Sequence, residues 1–541
     1  MSTLESHAEE PLRREYVAQP ATTAARSRYL WGTTAGAAAG LAASGVMLWA
    51  GEAWGGAILP QLISERATAI VPLDMFRRGL EALESNAKPL TLLGITLGQT
   101  LGGAAIGALY ATRAADGVRQ RLLGGAALAV LVWLMLGLVG APLGDIGLFA
   151  VDAPGGFWET QLVFSVSALV FGALVALAVP LPSVALEADA DDGRRRLLKL
   201  GAFGALALPA GWSLFYVGRQ ARDLRDSYDP GLGTRTADGG SIFEAAGMPE
   251  QTTPTDAYYV VSKNFVDPEV NSIDWTLEVG GLVERPMTLS FTDILNRETT
   301  DFAATLECIS NGIGGTYISN TIWTGFPLRE LLDEAGLKPG IVDIELHAAD
   351  GYIESIPLAE GLAEDTMLVH SMLGEALTYK HGFPLRLIVP GIFGMKNVKW
   401  ITKINAVDQD IQGYWQERGW SDIATVVTMS RIDVPRRDSK VKVGELVTIG
   451  GVAFAGDRGI SMVELSLDGG ATWQETQLAE EQSKLAWRLW AYEYQATQPG
   501  PVSLVVRATD GDGELQTEQE RESLPDGATG WHHNFFEVEE L

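Results

Sequence analysis

The sequence predicts a multi-domain chain: an all-α bundle of five transmembrane helices, then an α+β domain, then an all-β immunoglobulin-like sandwich. Three observations carry this reading. Apolar residues crowd into the first 217 positions, where five stretches approach or exceed the roughly 20 residues that cross a bilayer. Charge divides at the same place: residues 1–217 hold 15 Lys+Arg against 17 Asp+Glu, and the remainder holds 25 against 51. Past about residue 256 the apolar periodicity changes to short strand-like alternations, and past about 440 no helical run interrupts them.

The 541 residues suggest three or four domains. The net charge of −28 argues against a nucleic-acid partner, because phosphate contacts need clusters of Lys and Arg. A single cysteine excludes an intramolecular disulfide and a cysteine-built zinc or iron–sulfur cage.

The expected spans are 29–50, 90–111, 122–141, 161–182 and 197–217, all in contact with membrane lipid. A polar arm with Arg13, Arg14, Arg26 and Arg28 precedes the first. Five successive spans argue against a cleaved signal peptide. Basic residues set the orientation. Loop 112–121 carries Arg113, Arg119 and Arg121, and loop 183–196 ends in Arg194, Arg195 and Arg196, whereas loop 142–160 has no Lys or Arg. This pattern places the N-terminus in the cytoplasm and everything past Gly218 outside it, periplasmic or at the cell surface. Arg194-Arg195-Arg196-Leu197-Leu198-Lys199 also fits a twin-arginine export signal, which carries folded, cofactor-loaded domains across a membrane. No histidine lies between His7 and His347, so the spans cannot hold bis-histidine haem. They read as an anchor or docking platform.

The Gly-rich stretch 219–255 reads as a linker. The α+β domain is expected over 256–430, with Trp275–Val279 as a strand and a short helix from Leu328 that stops at Gly336. The sandwich is expected over 431–541. There Val463–Leu467, an Asp468-Gly469-Gly470 turn and Thr472-Trp473-Gln474 form a hairpin signal, followed by strands at Trp487–Tyr494 and Val502–Ala508. His370 reads as structural, and His532-His533 as a solvated strand end.

The candidate chemistry sits in the α+β domain. Thr305-Leu306-Glu307-Cys308-Ile309-Ser310-Asn311-Gly312 holds the only cysteine. His381-Gly382-Phe383-Pro384-Leu385-Arg386 and Gly394-Met395-Lys396-Asn397-Val398-Lys399-Trp400 follow, concentrating His381, Arg386, Lys396 and Lys399 in an otherwise acidic domain. Such a cluster suits an anionic ligand, and cations beside a thiol favour the thiolate that ligates a soft metal. Taken by itself, a lone cysteine is more often an inert, buried small residue than a site.

These segments, spanning about 256–541, resemble the sulfite oxidase family of molybdopterin enzymes, which includes plant nitrate reductase and a bacterial methionine-sulfoxide reductase. The resemblance implies a molybdenum–molybdopterin cofactor, with Cys308 as the one protein ligand to molybdenum. It further implies that His381, Arg386, Asn397, Val398 and Lys399 bind the cofactor. Lys263 and Asn264 match an Arg-Asn-His stretch of the family, keeping a cation but not the histidine. Asp350-Gly351-Tyr352 also resembles the family; Tyr352 reads either as a catalytic pocket phenol that steers or protonates substrate oxygen or, equally, as a core tyrosine with a satisfied hydroxyl. The C-terminal sandwich, ending Gly530-Trp531-His532, is similar to the family's dimerisation domain and implies a homodimer.

One departure bears on substrate. Sulfite oxidases typically continue Cys-Ala-Gly-Asn-Arg, where the arginine helps hold the anion; here the arginine position is Gly312. A pocket without that guanidinium fork should hold sulfite less well. The resemblance implies two-electron oxygen-atom transfer on a small-molecule substrate. No Cys-x-x-Cys-His haem motif is present, so electrons are expected to pass to a separate carrier, a cytochrome or a quinone-linked one. The rival reading is a membrane-anchored binding or adhesion module with an empty, degenerate cofactor pocket.

Overall fold

The computed structural model describes residues 20–71, 75, 87–113, 118–144, 146–153, 156–178, 207–219, 241–265 and 267–540. The chain divides into a helical unit and a β-rich unit.

The helical unit contains α1 (Pro20–Trp54), α2 (Ala87–Arg113), α3 (Val118–Met135) and α4 (Phe157–Ala178). Among the described residues four helical segments, Tyr29–Trp54, Pro89–Arg113, Arg119–Leu143 and Phe157–Ala178, are long and apolar enough to cross a membrane. They coincide with the first four expected spans. Of the fifth, residues 207–219 are helical, while its start and the Arg194–Arg196 cluster lie outside the described residues. The pairing of α1 with α2 follows from their glycines. Gly32 and Gly36 face Gly103 and Gly107 so closely that a Cβ on Gly36 would collide with the Gly103 carbonyl oxygen. Ser44 Oγ donates to Gln99 Oε1 at 2.8 Å across the same contact.

In the β-rich unit the first strands are β1 (Thr276–Gly281), β2 (Met287–Ser290), β3 (Thr300–Glu307), β4 (Ile318–Pro327) and β5 (Asp343–Ala348). Then come β6 (Ile353–Pro357), β7 (Met367–Met372), β8 (Glu375–Ala376), β9 (Arg386–Ile388) and β10 (Ile401–Val407). One sheet runs β2-β1-β10-β5-β6 and the other β3-β4-β7-β8, with β9 paired to β7. In the first, β1 and β10 pair in parallel, with Glu278 opposite Lys403. The expected helix forms as α5 (Leu328–Ala335), burying Leu328, Leu331, Leu332 and Ala335 and stopping at Gly336, whose φ is +72°.

The C-terminal strands are β11 (Met429–Val434), β12 (Ser439–Lys442), β13 (Leu446–Phe454), β14 (Ile460–Ser466) and β15 (Gln474–Glu475). The last are β16 (Gln477–Leu478), β17 (Arg488–Gln495), β18 (Gly500–Asp510) and β19 (His532–Glu539). Sheets β11-β13-β17-β16 and β12-β19-β18-β14-β15 share a core of Ile449, Val463, Leu465, Trp490, Leu504, Val506 and Phe536. The expected hairpin is β14–β15.

Two boundaries differ from expectation. Residues 241–255, read as linker, belong to the fold: Thr253 N donates to Asn320 O at 2.8 Å, and Trp487 Nε1 to Gln251 O at 3.0 Å. The break near 430 is also not a break in packing, because Met429, Val452, Phe454, Trp487 and Leu489 join the same core as Leu387 and Phe393. Composition marks a polar stretch but not where its backbone hydrogen bonds go.

Candidate active site

Cys308 follows the last residue of β3, where the chain leaves the sheet in a tight turn. Its amide donates to Tyr317 O at 2.9 Å, and Asn311 N donates back to Cys308 O at 2.9 Å. Asn311 fixes the turn from inside: its Oδ1 accepts from Tyr317 N at 3.0 Å and its Nδ2 donates to Glu307 Oε1 at 2.8 Å. The half-buried Cys308 Sγ lies 3.1 Å from Ser310 Oγ. Glu307 is 5% exposed, and burial pushes its carboxyl up to about 7 although Asn311 and Arg431 pull the other way.

A buried, cationic and aromatic wall lies close by. Arg386 begins β9 and is 5% exposed. Its Nη1 donates to His381 O at 3.1 Å and its Nη2 to Asn397 O at 3.3 Å, and Nε has no partner. The guanidinium stacks on Trp323 at 5.1 Å. No carboxylate among the described residues pairs with it. His381 Nε2 lies 2.9 Å from Thr255 O, and burial holds the ring's pKa down to about 4, so it is neutral near pH 7. Tyr258 packs edge-on to His381 and Trp323. Tyr259 beside it feels the charge of Cys308, Arg386 and Glu307, and burial raises its phenol well above the ordinary range. Sequence reading missed both tyrosines. The signal available was their place, just before Lys263 in the motif-like stretch.

Other expected site residues play different parts. Asn397 braces its own loop: Oδ1 accepts from Val389 N at 2.7 Å, and Nδ2 donates to Phe393 O at 3.2 Å and Ile392 O at 3.3 Å. Val398 is a core side chain at 1% exposure. Lys399 is half-buried, with Nζ donating to Lys380 O at 3.1 Å and stacked on Trp400 at 4.2 Å. Asn264 Nδ2 donates to Asp350 Oδ2 at 2.8 Å, and the Lys263 ammonium lies 5.6 Å from the Tyr414 ring.

Two expectations are corrected. Lys396 does not add charge to the pocket. It is 1% exposed and neutralised by Glu354 at 3.2 Å and Asp422 at 3.4 Å, while also donating to Ser355 O at 2.9 Å. Tyr352 belongs to the same network, its hydroxyl donating to Met395 O at 2.8 Å and Glu354 Oε2 at 3.0 Å. Those bonds tie the phenol to the Gly394–Lys396 turn. Glu354→Gln should therefore lower stability by about 3 kcal/mol, read as a fall in melting temperature, because it removes the buried carboxylate and leaves the Lys396 ammonium only the part-exposed Asp422. His532 is half-buried rather than a fully solvated strand end: its Nδ1 accepts from Ile432 N at 3.0 Å.

Among the described residues no group of three His, Cys, Asp or Glu stands ready for a metal. A metal here would have one protein thiolate and draw its remaining ligands from a bound group. The wall beside it, a buried cation lacking a carboxylate, suits an anionic part of such a group.

Residues 264–415 match the family model of the oxidoreductase molybdopterin binding domain, and residues 421–538 that of the Mo-co oxidoreductase dimerisation domain. The chain is similar to the sulfite oxidase of Arabidopsis thaliana, 26% identical over 49% of this chain and 82% of that protein. It is also similar to the uncharacterized oxidoreductase YuiH of Bacillus subtilis, 30% identical over 32% of this chain and 85% of that protein. Among solved structures it resembles the sulfane dehydrogenase SoxCD of Paracoccus pantotrophus, at 25% identity, with a TM-score of 0.48 over 53% of this chain and 84% of that one. The chain spans about half the length of the animal sulfite oxidases it matches.

Proposed function

The chain belongs to the sulfite oxidase family of molybdopterin-dependent oxidoreductases, and on that premise we propose that it is a membrane-anchored enzyme whose catalytic part lies outside the cytoplasm. Its reaction is two-electron oxygen-atom transfer on a small molecule, with electrons exchanged through a separate cytochrome or quinone-linked carrier. The observation that carries this is the pairing of one cysteine on a pinned turn with a buried arginine that no carboxylate among the described residues pairs with. That donor set fits molybdenum–molybdopterin. Cys308 offers the soft thiolate, and Arg386, with its unsatisfied Nε, offers charge-assisted donors to an anionic substituent. Lys399 adds a second cation at the rim of the same wall. His381, neutral near pH 7, receives or donates a hydrogen bond without adding charge.

When bound, the cofactor supplies the redox and oxygen-transfer chemistry. The protein's part is to hold and orient it. Asn311 keeps the Cys308 turn closed, Asn397 shapes the loop that holds Arg386 Nη2, and Tyr258, Trp323 and Tyr259 keep the wall dry. Residues 431–541 are read as an immunoglobulin-like, dimerisation-type sandwich through which two copies pair, and residues 1–218 as a five-span anchor in lipid.

Elemental analysis of the full-length protein should find about one molybdenum per chain. A metal-free protein would instead favour the binding-module reading. Topology has its own test. Replacing Arg194 and Arg195 by Lys should block export of the β-rich half while the earlier spans insert normally. In intact cells, that half should then become resistant to added protease. Digestion of the unmodified β-rich half only after lysis would overturn the assignment.

A further inference from the structure

The Cys308 turn continues as Asn311-Gly312-Ile313-Gly314-Gly315, a run with little backbone preference of its own. Asn311 pins its start, and the fixture at its far end comes from the C-terminal two-sheet domain. Arg431 of β11 donates through Nη1 to Gly315 O at 2.7 Å. Its Nη2 lies 2.9 Å from Asp433 Oδ1, with both side chains at most 4% exposed. The same strand and β19 shape the rest of the seat. Ile432 N bonds His532 Nδ1, and the His532 ring fills the space where a Cβ on Gly314 would stand. Gly314 has a φ of +72°, so both the ring and the backbone angle require glycine there.

We propose that Arg431, held by Asp433, is a positioning residue for the Cys308 thiolate, so that the C-terminal domain sets the geometry of the metal-ligating turn. The chemistry calls for arginine in particular. One planar guanidinium reaches a carboxylate and a carbonyl at the same time, and Asp433 prevents it from swinging away. A lysine at 431 could satisfy one acceptor well, not both. The proposal rests on the reading of Cys308 as metal ligand but predicts something measurable without metal. Released at Gly315, a glycine-rich turn opens more often and exposes the thiol.

Because Cys308 is the only cysteine, alkylation by iodoacetamide reports on this turn alone. The test uses the full-length chain, purified without cofactor, and compares it with Arg431→Gln, Asp433→Asn and Arg431→Lys. Arg507→Gln is the control; it breaks the 2.8 Å Arg507–Glu464 pair elsewhere in the same domain. Arg431→Gln and Asp433→Asn should speed alkylation by about 10-fold, the lower end for losing one charge-assisted hydrogen bond. Arg431→Lys should fall between them and the unmodified chain, and Arg507→Gln should match the unmodified chain. Rates within about twofold of the unmodified chain for folded Asp433→Asn would overturn the proposal, and so would equal acceleration by Arg507→Gln. If Arg431→Gln does not fold, Asp433→Asn and Arg431→Lys decide the question. Molybdenum content tests the family reading separately, so the two failures are distinguishable.

Discussion

Cys308→Ser is expected to abolish turnover while leaving the chain folded. The substitution is nearly isosteric, and the turn is held by the Cys308 amide and carbonyl and by Asn311, none of which it alters. Ser310 Oγ, 3.1 Å from the thiol, can bond a hydroxyl equally well. What changes is the ligand. A serine oxygen is harder than a thiolate and shifts the metal's potential, so some metal can remain bound to an inactive enzyme. Activity should fall by more than about 100-fold, beyond the range that losing a mere supporting group costs a metal site. Turnover and molybdenum are to be measured on the same preparation. A serine variant with full activity would show that Cys308 is not the ligand.

Gly312→Arg is expected to improve sulfite oxidation. The structure makes this substitution practicable: a Cβ on Gly312 meets nothing within 4 Å, and its φ lies outside the left-handed region. A charge-assisted hydrogen bond to a buried anion contributes about 1.5–3 kcal/mol, or roughly 10- to 150-fold in binding, and the Michaelis constant for sulfite should fall by that order. Glu307 complicates the reading, because it lines the same small pocket as Gly312 and its Oε2 has no partner. A new arginine can pair with Glu307 instead of the substrate. Gly312→Arg combined with Glu307→Gln removes that competitor, and the double variant should show the larger gain. Efficient sulfite oxidation at micromolar concentration by the unmodified protein would show that Gly312 is no handicap.

Much of the fold was legible because its signals are local. Four apolar stretches became helices of spanning length, Gly336 ended α5 through its own backbone angle, and Asp468-Gly469-Gly470 turned a hairpin. At the site, Cys308 and Arg386 stood out as residue types that suit a soft metal and an anion. What stayed hidden depends on partners distant in sequence. Lys396 is a ligand-binding cation by residue type alone, but Glu354 and Asp422, distant in sequence, pair with it. His532 reads from sequence as a solvated strand end, but Ile432, 100 residues away, donates to its ring nitrogen. None of these pairings leaves a trace in spacing or periodicity, since long-range side-chain contacts are set by tertiary packing alone.

The position of β10 fixes when the site can exist at all. It is the last strand of its sheet to be synthesised, yet it lies in the middle, between β1 and β5 and parallel to β1. A ribosome-bound chain that has not yet released Val407 therefore has β1 and β5 without the strand that joins them. Arg386 opens β9 against β7, but the segment carrying Lys399 leads directly into β10 and is seated only with that strand. The cysteine turn waits longer still, because Arg431 on β11 emerges later and His532 comes almost at the end of the chain. Closure over such long separations makes the site one of the last parts of the molecule to form during synthesis. A chain truncated between β10 and β19 should carry every residue of the cofactor motifs and still lack a finished site.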